Sequence, residues 1–207
     1  MSLFADFFHI LLNIDYFLPK WAIEYGVWVY AIVFLIIFCE TGLVIFPFLP
    51  GDSFLFLIGT LCGSAIMDPW ISFLVIFFGA LCGDTVNFLV GRFFRGRLSP
   101  DNRLISQKNI QKTEKFFDKH GGKSLILARF VPIIRTYAPF VGGLVNMPYK
   151  RFISFNVFGA FIWPVVFLSA GYFFGQFTFI TQNIGKFVLF IVIFTLLSFA
   201  WGYLKKK

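Results

Sequence analysis

Arg129 and Arg135 lie in the apolar stretch RFVPIIRTYAPF, and no other charge occurs between Ser124 and Tyr149. A guanidinium keeps its charge at physiological pH. In such a stretch it needs an anionic partner or a water-filled cavity, and ionisable groups at membrane depth mark functional sites. Glu40 and Asp52 lie in a matching segment broken by Pro and Gly, CETGLVIFPFLPGD. No Lys or Arg occurs between Val27 and Gly91, so the opposite charges for these acids come from the arginine segment. One half of the chain supplies buried acids and the other buried bases. The planar fork of an arginine suits a phosphate or a carboxylate. A carboxylate held away from water and unpaired takes up a proton, which suits proton exchange. The plainer reading is a structural salt bridge between the two segments. Against it, desolvating four charges can cost more than their attraction gains.

Asp84 and Asn156 put polar groups on otherwise apolar helices. Asp84 either joins the site or bonds a neighbour, and we group it with Glu40 and Asp52 as a proton-coupling acid. Asn156 is placed to line the cavity, although an interhelical hydrogen bond is the usual role of such a residue. With Tyr137, beside Arg135, it completes the candidate ligand contacts.

The elements that position these groups are membrane helices. The 207 residues are 58% hydrophobic, include 33 phenylalanines and have a mean hydropathy of +0.82. That composition does not fit a soluble domain. Residues 152–185 and 187–204 carry no charge, and a span needs about 20 apolar residues. The apolar run 27–40 is too short to cross alone. Gly42, Pro47, Pro50 and Gly51 break it before a second run, 53–67. We read 27–67 as a re-entrant hairpin with Glu40 and Asp52 at its tip, because non-helical backbone at membrane depth needs protein or a cavity to satisfy it. Residues 71–91 then span. Pro132, Pro139, Gly142, Gly143 and Pro148 mark a second re-entrant hairpin at 124–147, with both arginines near its tip. Residues 152–175 and 184–204 span.

The expected fold is therefore an all-α polytopic membrane protein: two opposing re-entrant hairpins and spanning helices in an inverted repeat. A shift of 80 residues places Phe78-Gly79-Ala80 on Phe158-Gly159-Ala160, and Gly91 on Gly171. The repeat is inverted because the first spanning helix ends at a basic loop and the second begins at Lys150-Arg151. Inverted repeats are common in secondary transporters, with the site at the midplane between them. Three parts follow. Residues 1–26 are an N-terminal interfacial region, with one polar face (Asp6, His9, Asn13) and a helix ending at Pro19. Residues 27–176 are the membrane core, with a cytoplasmic basic loop at 92–123. Residues 177–207 are a final helix and a lysine tail.

The net charge of +8 is clustered. Nine Lys/Arg lie in 92–123, and Lys205, Lys206 and Lys207 end the chain. The positive-inside rule puts both groups in the cytoplasm. Within the basic loop, Ile110, Phe116 and Phe117 oppose four lysines, the pattern of an amphipathic helix on an anionic leaflet. Membrane anchoring accounts for every basic cluster, so no nucleic-acid partner is inferred. Cys39, Cys62 and Cys82 read as buried free thiols. No metal or cofactor is implied. An enzyme acting on lipid phosphate needs a nucleophile or base beside it. Both histidines, His9 and His120, lie outside the core apolar segments, so we expect no catalysis.

The segments FCETGLVIFPFLPGDS (38–53), GDTVNFLVGR (83–92) and EKFFDKHGGKSLILARFVPIIRTYAPFVGG (114–143), with Met147, Phe152, Asn156, Gly159 and Trp163, resemble the DedA family of bacterial inner-membrane proteins, related to VTT-domain lipid scramblases. The likeness runs from about residue 20 to 175. One departure is Phe88, where the family often has Tyr. The resemblance implies movement of undecaprenyl phosphate or other phospholipids between leaflets, driven by the proton-motive force and supporting envelope integrity. It implies that Glu40, Asp52, Arg129 and Arg135 are essential. The expected partners are thus membrane lipids and protons, with a homo-oligomer compatible with the sequence. The alternative is a proton-driven carrier of a small solute or ion, which four ionisable groups and broken helices serve equally well.

Overall fold

The computed structural model describes residues 14–43, 51–95, 129, 132–174 and 177. These form six helices: α1 (Ile14–Tyr25), α2 (Trp28–Gly42), α3 (Gly51–Gly63), α4 (Pro69–Arg95), α5 (Pro132–Leu144) and α6 (Tyr149–Phe174). The first hairpin's turn at 44–50, the amphipathic helix of the basic loop, the run 124–128, the 184–204 span and the lysine tail lie outside the described residues, as do residues 1–13.

Helices α4 and α6 have 27 and 26 residues, enough to cross a hydrocarbon core of about 30 Å at about 1.5 Å per residue. Only 39% of each apolar window is buried inside the protein. A soluble core helix would bury most of it; here Phe78, Phe158 and Phe161 face outward. An apolar outer face of this extent belongs against lipid. Helices α2, α3 and α5, with 15, 13 and 13 residues, are too short to span.

Pro19 does not end the first helix as the sequence suggests: α1 continues through it to Tyr25. An internal proline costs about 3 kcal/mol. Leu18 and Ala22 beside it are buried, and α1 packs on α3. Burying a leucine is worth about 2 kcal/mol, so packing offsets much of that cost. The chain turns at Gly26 instead, with φ +52°. A second correction concerns the thiols: Cys62 is buried, but Cys39 and Cys82 are exposed. Each lies one turn after an exposed residue, Leu35 and Phe78, and so on the outer face of its helix.

The contacts divide the chain into two compact units, residues 1–35, 48–76 and 164–207, and residues 36–47 and 77–163. In the first, α3 is buried from Gly51 to Cys62. Its close neighbour is the end of α6, where a Cβ on Gly59 would lie 2.9 Å from Gly171 Cα and overlap the Leu168 carbonyl. A Cβ on Gly171 would overlap the Phe56 carbonyl. Helix α3 ends in a Schellman turn: Ile66 N donates to Leu61 O at 3.0 Å, with Ala65 at φ 56°. Asp68 then caps α4. Its Oδ1 accepts from Trp70 N and Ile71 N at 2.9 Å, with Pro69 in the first position, where no donor is needed. An apolar cavity of about 350 Å³ in this unit is lined in part by Trp70, Phe73, Leu168 and Tyr172.

The second unit repeats the device. A Cβ on Gly91 of α4 would overlap the Phe140 carbonyl of α5, and one on Gly143 would overlap the Phe88 carbonyl. Helix α5 ends in the same turn, Met147 N donating to Gly142 O at 3.0 Å with Asn146 at φ 56°. Phe88 stacks on Phe152 at 4.2 Å, against Ala138, Val145 and Met147. Fully buried Asn87 donates to the carbonyls of Thr41 (3.0 Å) and Thr136 (2.7 Å), which fixes α2 and α5 to α4.

Gly143→Ala is expected to lower the unfolding midpoint in detergent, because the new methyl meets α4 backbone and overpacking costs about 1–3 kcal/mol. Gly142→Ala next to it would make ordinary contacts, with the Phe88 ring at 3.7 Å and Met147 Sδ at 4.0 Å. It should leave the midpoint unchanged or raise it, since alanine is the better helix former. Equal midpoints for the two variants would refute the close crossing.

Candidate functional site

The charged groups converge in the second unit. The last turn of α2 supplies Glu40 and Thr41, α4 supplies Asp84, and α6 supplies Asn156 and Trp163. Arg135 lies in the first turns of α5, which begins at Pro132, and Arg129 just precedes that helix. All of these side chains are buried, the two arginines at 6% and 7% exposure.

Each guanidinium is paired. A terminal nitrogen of Arg129 donates to Asp84 Oδ2 and, at 2.6 Å, to Asn156 Oδ1. A terminal nitrogen of Arg135 donates to Glu40 Oε1, and its Cζ lies 4.5 Å from the centre of the Trp163 ring. Asn156 also donates from Nδ2 to the Leu81 carbonyl at 3.3 Å. Thr41, Asp84, Arg129, Arg135 and Trp163 line a cavity of about 10 Å³, room for roughly one water. Each of these cations is thus matched by an anion away from solvent. Removing one partner of such a pair leaves a buried unpaired charge, at a cost of about 3–5 kcal/mol. An incoming anion that replaces the carboxylate avoids that cost.

Glu40, Asp84, Arg129, Arg135 and Asn156 are therefore assembled in one place. The sequence reading sets Glu40 and Asp52 opposite the arginines; in the structure Glu40 pairs with Arg135, and Asp84 pairs with Arg129. Asp52 is buried in the first turn of α3. Tyr137 is 42% exposed and does not line the cavity. The sequence reading missed the roles of Thr41, Gly159 and Trp163. A signal was present: Asn156, Gly159 and Trp163 recur at i, i+3 and i+7, one face of a helix. Among the described residues no three His, Cys, Asp or Glu side chains are grouped to hold a metal ion.

A model of the VTT domain matches residues 49–173. The chain belongs to the VTT-domain, DedA-type family of membrane proteins. It is 44% identical over 201 residues to Protein DedA of Escherichia coli strain K12, covering 95% of this chain and 92% of that protein. It is 37% identical over 169 residues to the membrane protein ML0287 of Mycobacterium leprae, covering 79% and 74%. Inner membrane protein YghB of Escherichia coli strain K12 is 29% identical over 178 residues, covering 85% and 81%. No solved structure matches the chain. The VTT match takes in Asp52, Asp84, both arginines, Asn156 and Trp163, while Glu40 lies just ahead of it.

Proposed function

We propose that this DedA-type protein is a carrier, not an enzyme, that moves a lipid phosphate between the leaflets of the bacterial inner membrane, coupled to protons. The lipid is undecaprenyl phosphate or a phospholipid. The observation that carries this reading is the pairing of two buried arginines with carboxylates around a cavity of about 10 Å³. A guanidinium fork binds phosphate edge-on. In the state described here the carboxylates hold that edge. A lipid phosphate replaces them and opens the cavity, and the freed acid takes up a proton because an unpaired buried anion is costly. Its hydrocarbon tail remains in the bilayer.

The proposal includes an inverted repeat with re-entrant hairpins at 27–67 and 124–147. Supporting it are the short α2, α3 and α5, and the same glycine crossing and helix ending in each unit. It also places the 92–123 loop and the C-terminus in the cytoplasm. In a Cys-free background, Ile180→Cys should react with a membrane-impermeant thiol reagent from the periplasm and Lys108→Cys should not. Labelling at position 108 would reverse the orientation.

The transport reading is tested in proteoliposomes carrying labelled undecaprenyl phosphate or phospholipid, with and without a pH gradient. Movement of a lipid phosphate, faster with the gradient, is expected. Rates equal to those of protein-free vesicles for every lipid phosphate tried would refute it, and uptake of a small anion alone would favour a solute carrier.

A further inference from the structure

The inward face of α6 has no role in the exchange just described, yet it touches both arginines. Each guanidinium has supports of two kinds. One is an acid from another helix, Asp84 for Arg129 and Glu40 for Arg135. The other is neutral and comes from α6. Asn156 Oδ1 accepts from Arg129 at 2.6 Å, while its Nδ2 is fixed on the Leu81 carbonyl, so the amide oxygen is held toward the arginine. Gly159 makes room for the stem of Arg129: a Cβ there would stand 2.8 Å from both Cδ and Nε. One turn further, the ring of Trp163, the largest fully buried side chain among the described residues, lies against Cζ of Arg135 at 4.5 Å.

We propose that Asn156, Gly159 and Trp163 form a neutral cradle that holds both guanidinium groups in place while their acids are exchanged for the phosphate of the lipid. This rests on the lipid-phosphate reading above. A cation that has lost its acid at low dielectric needs another attractive partner. An amide oxygen and an aromatic face supply attraction without charge. Glu40 reaches a terminal nitrogen of Arg135 and Trp163 reaches its central carbon, so an anion can replace the carboxylate while the ring stays in contact. A further carboxylate in the cradle would instead compete with the phosphate. These are positioning residues, acting through the arginines.

Two measurements test the cradle. The first uses Asn156→Asp, which keeps size and adds charge, with undecaprenyl phosphate binding to purified protein in detergent micelles as readout. Its unfolding midpoint should equal or exceed that of the wild type, since Arg129 gains an anion. Binding near neutral pH should weaken about tenfold, the equivalent of roughly 1.4 kcal/mol, and the deficit should shrink as the pH falls and the new acid is protonated. Wild-type affinity at every pH would overturn the proposal, as would a lower midpoint with unchanged affinity, which marks a purely structural asparagine.

The second measurement contains no lipid, so it stands even if the wild type binds no lipid phosphate and the transport reading itself fails. Unfolding midpoints are compared for Glu40→Gln, Trp163→Leu, Trp163→Phe and the two double variants. If the ring holds Arg135 once its acid is neutral, Glu40→Gln with Trp163→Leu should lose more than the sum of the singles, by roughly 3 °C. Phenylalanine keeps an aromatic face, so its double variant should show a smaller excess. Additive losses in both doubles would overturn the proposal. Should the leucine variants fail to fold, the phenylalanine series decides alone, an excess supporting the cradle and additivity overturning it.

Discussion

Arg129→Lys and Arg135→Lys are each expected to cut lipid-phosphate transport by about two orders of magnitude while reaching the membrane at wild-type abundance. Truncating one side of a buried, hydrogen-bonded charge pair costs about 2–5 kcal/mol, and 2.7 kcal/mol corresponds to about a hundredfold. Lysine keeps the positive charge, so Asp84 or Glu40 still has a counter-ion and the fold is not left with a bare buried anion. What is lost is geometry. An ammonium is a single nitrogen, whereas the guanidinium offers donors along a rigid edge that matches two oxygens of a phosphate. Arg129 also spans Asp84 and Asn156 together, and Arg135 spans Glu40 and the Trp163 ring. A lysine amine would reach these pairs with a different spacing. The measurement is lipid transport in proteoliposomes, normalised to protein recovered in the membrane fraction. Full activity in both lysine variants would mean that point charge suffices and that forked recognition is wrong.

The arginines stood out in the sequence because charge is rare in an apolar run, and rarity is visible without any fold. Glu40 stood out for the same reason, and the structure pairs it with Arg135. The partner of Arg129 was harder to read. Asp84 lies alone in α4, and nothing in a linear sequence says which face of that helix meets Arg129. Its phase was encoded nonetheless: Asp84, Asn87 and Gly91 recur at i, i+3 and i+7, and all three face the protein interior. The matching face of α6, Asn156, Gly159 and Trp163, was equally legible as a pattern and equally silent about what it touches. Gly143 reads as part of a hairpin break in the sequence but lies within α5. Like Gly59, Gly91 and Gly171 it stands at a crossing where backbone meets backbone, a role that depends on the partner helix. Pro19 failed for the converse reason: local propensity opposes a helix there, and buried neighbours override it.

Neutralising the acids should leave binding intact and remove its dependence on protons. Glu40 and Asp84 each hold an arginine that the phosphate must take over. When the phosphate arrives, the displaced carboxylate either stays a buried anion or takes up a proton, and the second outcome avoids the larger cost. Binding that takes up one proton strengthens by up to tenfold for each unit fall in pH. With a phosphodiester lipid as probe, the headgroup charge is constant over the neutral range, so the slope reports the protein's acids. Glu40→Gln and Asp84→Asn keep shape and lose titration. Each should reduce the slope, and the double variant should bind phosphatidylglycerol with an affinity flat in pH and at least equal to that of the wild type near neutrality. Transport by the double variant should then ignore a pH gradient. Asp52→Asn tests the acid of the first unit in the same assay: a reduced slope makes it a third proton carrier, and an unchanged slope confines the exchange to Glu40 and Asp84. If the double variant keeps the wild-type slope and still responds to the gradient, these two carboxylates are structural counter-ions of the arginines and the proton enters elsewhere.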